Sequence, residues 1–398
     1  MNEKRVLVVG AGPVGVTLAL LLGQRGLPVT VLEAEARPII DYRASTFHPP
    51  TMDMLEESGV TAGLLAMGRI CPTFQYRDRR KGKIAEFDLG LLRNDTRHPY
   101  RVQCEQFKLV EFVLKRLATM PEVDMQFSHR VDEIALSEDG VEALVMTPSG
   151  AQRFRGSWLV GTDGGRSTVR KSLGIEFEGL TYPERFLVAG TTFDFRSAIP
   201  DLCSVHYIAD ADEWVTLLEI PDMWRVITPV YSGTDDEALS DEFIESRLQG
   251  FVPRGTRYDI QVRAIYRAHQ RVAATYRKGR AFLAGDAAHL NNPIGGMGLN
   301  GGLHDALDLA DRLTRVWHGQ ASDAVLDGYE RRRKPVVVSA ILAQTAQNKR
   351  LLEERDPAVR EETLERWRRT AADPELAYRH LLQTSMIAPL REAEQRSA

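Results

Sequence analysis

Apolar residues gather in two short runs near the start of the chain, residues 5–9 and 28–33. Between them, positions 13 to about 25 are apolar on nearly every side. The short runs read as buried strands and the longer one as a buried helix, and strand, helix and strand in this order imply a parallel sheet. Residues 107–118 predict an amphipathic helix from their one-sided apolar spacing. The texture changes between 181 and 270. Segments 186–195, 214–220 and 224–230 are short, rich in β-branched and aromatic residues and broken by Pro or Gly, which predicts antiparallel strands of a second sheet. Helical periodicity returns at 303–317 and 324–352, with Pro335 an expected kink or boundary. The charged tail, 355–398, is expected to be helical and to pack on the body through Leu364, Trp367, Leu376 and Leu381. No linker, repeat or low-complexity tract divides the chain, so its domains are expected to interleave.

Composition adds mainly exclusions. The 398 residues, 43% hydrophobic and 27% charged, suit a globular chain of two or three domains. A net charge of −4 carries no footprint of a nucleic-acid binder. No apolar run approaches the ~18 residues of a membrane span. The longest, 14–23, ends at Gln24 and Arg25 and lacks the cleavage site of a secretory leader. Cys71, Cys104 and Cys203 match neither a disulfide framework nor a metal knuckle, so a reducing cytoplasm and no metal are expected.

Chemistry enters with glycine. Gly10-Ala11-Gly12-Pro13-Val14-Gly15 lies between the first strand and helix, where a dinucleotide fingerprint belongs. Gly10 allows the turn, Gly12 the approach of a pyrophosphate, and Gly15 the close packing of helix on sheet. The helix that opens at Pro13 offers free N–H groups to the phosphates. Glu33 ends the second strand, where a carboxylate accepts from ribose hydroxyls and repels a 2′-phosphate, so FAD or NAD fits better than NADP. Two further motifs follow apolar strands: GTDGGRSTVR at 161–170, and Gly285-Asp286 continuing as Ala287-Ala288-His289. Asp286 thus sits at a strand's C-terminal end, where α/β sheets bind ligands. Pro293, Gly295, Gly296, Gly298 and Asn300 then lead into a helix, an entry that fans N–H donors toward whatever lies before it.

These three motifs, in this order, resemble the single-component FAD-dependent aromatic hydroxylases (para-hydroxybenzoate hydroxylase-like flavoprotein monooxygenases), from residue 5 to about 335. The resemblance implies an α/β fold in which a Rossmann-like FAD-binding domain, residues 1–72, 101–180 and 271–350, interleaves with a mixed or antiparallel-sheet substrate domain, residues 73–100 and 181–270. Residues 351–398 form a C-terminal helical segment. It further implies that the first motif holds the ADP half of FAD, that Asp163 serves FAD and the nicotinamide dinucleotide, and that Asp286 bonds the ribityl chain. Pro293 to Asn300 would wrap the isoalloxazine, with the amides near Leu299 and Asn300 at its N1–C2=O edge. Arg43 matches an arginine near the flavin. Gln103 or Gln106 matches a glutamine on the cofactor, and spacing does not choose between them. Residues 329–335 resemble the closing helix, whereas Met297 (where Gln is frequent) and His304 depart from the common pattern.

The implied reaction uses NADH or NADPH and O2 to hydroxylate a small hydroxylated or aminated aromatic ring through a flavin hydroperoxide, in a pocket that excludes water. A monocyclic phenol, hydroxybenzoate or hydroxypyridine is favoured because the tail is too short for the additional domain of the larger members. Arg43, Pro293, His206 and Tyr207 are the candidate catalytic residues, and Trp214, Trp224 and Tyr231 are further pocket candidates. Packing is the alternative for each residue of the second sheet. Asp163 has the alternative of capping a helix at Ser167, Arg166 and Arg170 of being surface charges, and His289 of bonding locally rather than acting as a base. Three competing functions are weighed. A membrane quinone-pathway hydroxylase lacks an anchor, a flavin halogenase would need a Trp-x-Trp-x-Ile-Pro segment where LLEIP stands at 217–221, and a non-catalytic FAD module would show no turnover. Homodimerisation is left open.

Overall fold

The first strand, helix and strand form as Val6–Val9, Pro13–Gln24 and Val29–Leu32 in the computed structural model, which describes residues 4–397. The two strands pair in parallel, Val6 opposite Val29. Trp158–Gly161 pairs in parallel on the other side of Val6–Val9, and Ala281–Leu283 lies beyond it. Val123–Gln126 adds the far edge, and the antiparallel pair Arg277–Lys278 closes the near one. The three glycine motifs therefore leave the C-terminal ends of three adjacent strands of one sheet. Helix Pro13–Gln24 and the antiparallel strands Arg130–Leu136, Val141–Thr147 and Gly150–Gly156 pack against this sheet, so its strands are apolar without alternation. Helix Pro13–Gln24 is itself buried nearly all round, between helices Gln106–Leu117 and Met297–Trp317.

A second sheet of eight strands stands against the ends of the first. In spatial order it runs His289–Leu290, Ile260–Ala273, Phe177–Thr191, Met223–Val230, Val215–Ile220, Val205–Ala209, Thr73–Asp78 and Gly82–Asp88. Its neighbours are antiparallel except Val205–Ala209 with Thr73–Asp78, which makes the sheet mixed. Strands Phe177–Thr191 and Ile260–Ala273 run through the boundaries expected at 180/181 and 270/271, so continuous strands join the two regions there. Along these strands successive side chains face opposite ways. Val205, Tyr207, Leu218, Phe186 and Ile227 face one core, which includes Phe74, Trp367 and Leu381. Ile208, Val215, Leu217, Trp224 and Val226 face another, against Ile244 and Leu248 of helix Asp241–Phe251.

Three helical expectations change in detail. The helix expected from 303 begins at Met297, because Gly296 takes a left-handed φ of +66° and turns the chain into it. The helix expected at 324–352 does not break at Pro335. It runs as Asp327–Val336, then a π-helical turn Val337–Leu342, then Ala343–Leu352. Proline removes one backbone donor and crowds the preceding turn, and the wider turn that follows takes up the misfit. The tail forms helices Pro357–Ala372, Pro374–Thr384 and Ile387–Ser397. Leu364, Trp367 and Leu381 are buried as expected, and Trp367 stacks on Tyr76 at 4.3 Å, but Leu376 is exposed. Cys71, Cys104 and Cys203 are free thiols.

Candidate active site

A cavity of about 640 Å³ lies between the strand ends of the first sheet and one face of the second. At one end the backbone does the shaping. Gly10 has φ +101°, and a Cβ on Gly15 would stand 2.0 Å from the Gly10 carbonyl oxygen, so helix and turn touch directly. A Cβ on Gly12 would meet nothing within 4 Å, which leaves that backbone open to a ligand. Glu33 accepts from the Ala11 N–H at 2.6 Å and the Glu35 N–H at 2.9 Å, fixing the turn from a place on the cavity wall. Pro13 lines the cavity and opens a helix whose N-terminus has no side-chain cap. Gly15 lies behind the wall.

The second and third motifs meet the same space. Asp163 lines it and also caps the short helix Thr168–Ser172, accepting from Ser167 Oγ at 2.5 Å and the Val169 N–H at 3.1 Å. Burial raises its carboxyl despite those bonds. Arg166 lines the cavity, whereas Arg170 is no surface charge. Arg170 is buried over the Phe177 ring and donates to the carbonyls of Ala287 and Gly165, tying the second motif to the third. Gly285 packs behind the cavity against Val14, where a Cβ would stand 2.8 Å away. Asp286 opens into the cavity, and its carboxylate has no hydrogen-bond partner among the described residues. Enclosure by protein raises it, opposed by Arg43 and His289. This carboxylate is open to the cavity and free to accept from a ligand there.

Fully buried Asp305 holds this turn from beneath, accepting from the Gly285 N–H, His289 Nε2 and Arg333 Nε. Against the penalty of burial, His289 and Arg333 hold its carboxyl down to about 2. His289 thus bonds locally. Pro293, Gly296, Met297, Gly298 and Leu299 line the cavity, at a second helix N-terminus that lacks a side-chain cap. Asn300 is not on the wall. Its amide donates to the carbonyls of Thr46 and Gly296 and accepts from the His48 N–H and Thr51 Oγ, bracing the loop from behind. His48 donates to the Gly295 carbonyl at 2.9 Å, and burial pushes its pKa down to about 3. His304 bonds Thr51 Oγ in the same layer and is likewise held neutral by burial.

Arg43 lines the cavity with its guanidinium on Asp41 at 2.6 Å, and that pairing raises it further. Gln106 is on the wall. Gln103 is buried one layer back, bonded to Ser45 and Thr46, which are themselves on the wall.

Opposite Pro293 and Ile294, the second sheet contributes Tyr207, Thr216, Leu218, Ile227, Tyr266 and Ala268. Here the sequence expectations need correction. His206 is fully buried on the reverse face of its strand, donates to the Cys203 carbonyl at 2.8 Å, and is driven by burial to about 3. Trp224 is on that reverse face, Trp214 is enclosed in the core, and Tyr231 is half exposed away from the cavity. Strand alternation decides all but the last two: Tyr207 faces in, so His206 faces out. Sequence reading missed Thr216 and Tyr266. Neither hydroxyl has a partner among the described residues, and burial pushes the Tyr266 phenol up to about 12. It also missed Arg101 and Arg225, two buried arginines near this chamber. Arg225 alone had a signal, its parity with Ile227.

The geometry is that of a dinucleotide site opening into a small aromatic-lined chamber, and the comparisons agree. Residues 3–344 match the family model described as "FAD binding domain". A para-nitrophenol 4-monooxygenase of Pseudomonas sp. (strain WBC-3) is 35% identical, with 89% of each chain covered. A 6-hydroxy-3-succinoylpyridine 3-monooxygenase of Pseudomonas putida is 31% identical over 89% of this chain and 90% of its own. The crystal structure of a p-nitrophenol 4-monooxygenase from Pseudomonas putida DLL-E4 superposes with a TM-score of 0.91 at 32% identity, covering 96% of this chain and 98% of that one. The chain belongs to this FAD-binding family of flavoprotein monooxygenases. It is an FAD-dependent aromatic hydroxylase. Among the described residues no helix is long and apolar enough to cross a membrane, and no group of side chains could hold a metal ion.

Proposed function

We propose that this enzyme hydroxylates a monocyclic phenol or hydroxypyridine, with NADH or NADPH as electron donor. The observation that carries the reading is the continuity of one cavity, from the open backbone of Gly12 to a chamber of ring size lined by Leu218, Ile227 and Ala268. Bound FAD, once reduced, supplies the activation of O2 that the protein's own side chains lack.

The residues on the wall fit that cofactor. Gly10 and Gly12 with the helix opening at Pro13 would hold the pyrophosphate, and Glu33 the adenosine ribose. Asp286 and Asp163 would accept from hydroxyls of the linking chain. The uncapped N–H groups at Met297 to Leu299 would stabilise negative charge on the isoalloxazine edge. Arg43, tethered by Asp41, adds positive charge beside them. Apolar walls exclude water from the reacting ring, and Tyr207 and Thr216 are the polar groups that can orient it. The fit to phenols rests on this pocket and on the substrates named for the relatives.

The test is a panel of phenols, hydroxybenzoates and hydroxypyridines offered to the FAD-loaded enzyme with each nicotinamide, scoring donor consumption and product mass. Hydroxylated phenol or pyridine product is expected. Turnover confined to hydroxybenzoates, or none with any member, would overturn the substrate reading.

A further inference from the structure

Arg101 is a buried cation without a counter-ion. It sits on the short strand Arg101–Gln103, is 2% exposed, and has no carboxylate within 4 Å among the described residues. Its guanidinium lies over the Phe74 ring, 4.2 Å from the centroid, and its Nε has no hydrogen-bond partner. Among the described residues its one side-chain hydrogen bond is Nη1 donating to the Tyr207 hydroxyl at 3.3 Å. Every titratable group facing it is neutral. His48 and His380 are pushed down to about 3 and about 4 by burial first and by Arg101 second, and burial pushes the Tyr76 phenol up, so that it stays protonated at neutral pH. An ion enclosed in this way is costly to desolvate unless something pairs with it.

Tyr207 is where that charge reaches the chamber. Its oxygen accepts from Arg101, so its own proton is uncommitted, and no acceptor for it exists among the described residues. The side chain lies on the cavity wall beside Thr216 and Ile227. The carboxylates on that wall, Glu33, Asp41, Asp163 and Asp286, come from strand ends and from the loop before Ser45, and none from the second sheet. Arg225, another buried arginine, donates to Ser45 Oγ and the Arg43 carbonyl and also has no carboxylate partner among the described residues. The chamber is therefore biased toward negative charge on its ligand.

We propose that Arg101 is the positioning residue that makes the chamber select its substrate as an anion, acting through the Tyr207 hydroxyl, which donates to the ionised oxygen of the ring. This rests on the phenol reading above and adds the buried cation that acts behind the Tyr207 hydroxyl. It distinguishes acidic phenols, ionised near neutral pH, from equally sized neutral rings.

The test uses the FAD-loaded enzyme and 4-nitrophenol, whose neutral and ionised forms absorb at different wavelengths. In the wild type the bound probe shows the phenolate spectrum at a pH well below its own pKa. Tyr207→Phe and Arg101→Met each return it to the neutral spectrum and weaken binding of the anion by about ten- to hundredfold, the worth of a hydrogen bond to a charged group. Arg101→Lys retains the phenolate spectrum. Binding of 4-nitroanisole, which cannot ionise, is the same in all four proteins, and Arg101→Met is no less stable to denaturant because an unpaired charge has been removed. A neutral bound spectrum in the wild type overturns the proposal, as does unchanged anion affinity in Tyr207→Phe, or equal weakening of both probes. Should Arg101→Met fail to fold, Tyr207→Phe decides alone, since it keeps the ring. Failure of the phenol reading would appear separately, as phenol binding without hydroxylated product.

Discussion

At the nucleotide end of the cavity the ligand meets mostly backbone: the open turn at Gly12, the uncapped helix entries at Pro13 and Met297, and three carboxylates just past strand ends. At the substrate end it meets mostly side chains, carried on alternate positions of Val205–Ala209 and Val215–Ile220, at Ile227 of Met223–Val230 and at positions 266–269 of Ile260–Ala273. Backbone recognition demands glycine where a Cβ would collide, which constrains the chain locally. Side-chain recognition demands only the right face of a strand, and a one-residue change of parity moves a residue from the chamber to the opposite core. His206 and Tyr207 are neighbours in sequence and lie on opposite sides of the sheet.

The largest effect that would sharpen this contrast is on the whole molecule. His48 behind the nucleotide loop, His206 in the reverse core and His380 on the tail helix Pro374–Thr384 are held at about 3, 3 and 4 by burial. Unfolded histidine titrates near 6.5, so below that pH the unfolded chain binds protons the folded one refuses. Stability is complete above pH 6.5 and falls as the pH drops toward 4, by roughly 1 kcal/mol per histidine per unit. Urea unfolding across that range measures it, and His206→Gln should flatten the slope while leaving flavin content unchanged.

Next is the nucleotide end itself. Asp286→Ala is expected to weaken FAD about a hundredfold, since it removes a charged acceptor that nothing else replaces. Flavin retained at wild-type stoichiometry after dialysis would contradict that place for the cofactor. Arg43→Ala should keep FAD but slow its reduction by the nicotinamide by about tenfold, followed anaerobically by flavin absorbance. Smallest of all, Trp224→Phe should change KM for the phenol by less than about twofold, as expected of a residue facing away from the chamber. A tenfold rise would put Trp224 back in the pocket and break the alternation argument.

The two ends also differ in how far they could be read in advance. Gly10, Gly12, Gly15, Glu33 and Asp286 announced themselves because the turn, the helix entry and the strand end each restrict residue type. The expected helix at 303 began six residues early, since an N-terminus marked by glycine at 296 has no capping side chain to show it. Gln106 and Gln103 could not be told apart until one proved to face the cavity and the other Ser45. Arg101 was illegible and Arg225 showed only through its parity with Ile227, because charged residues on strands normally face solvent. Only the assembled sheets show them enclosed.

The central claim is that the aromatic-lined chamber and the flavin site form one reaction space. Single turnover of the FAD-loaded enzyme with 4-nitrophenol, a nicotinamide donor and isotopically labelled O2 tests it most directly. The account predicts one labelled oxygen atom in the ring product for each donor oxidised. Donor oxidation that yields hydrogen peroxide with unlabelled phenol recovered intact would contradict it.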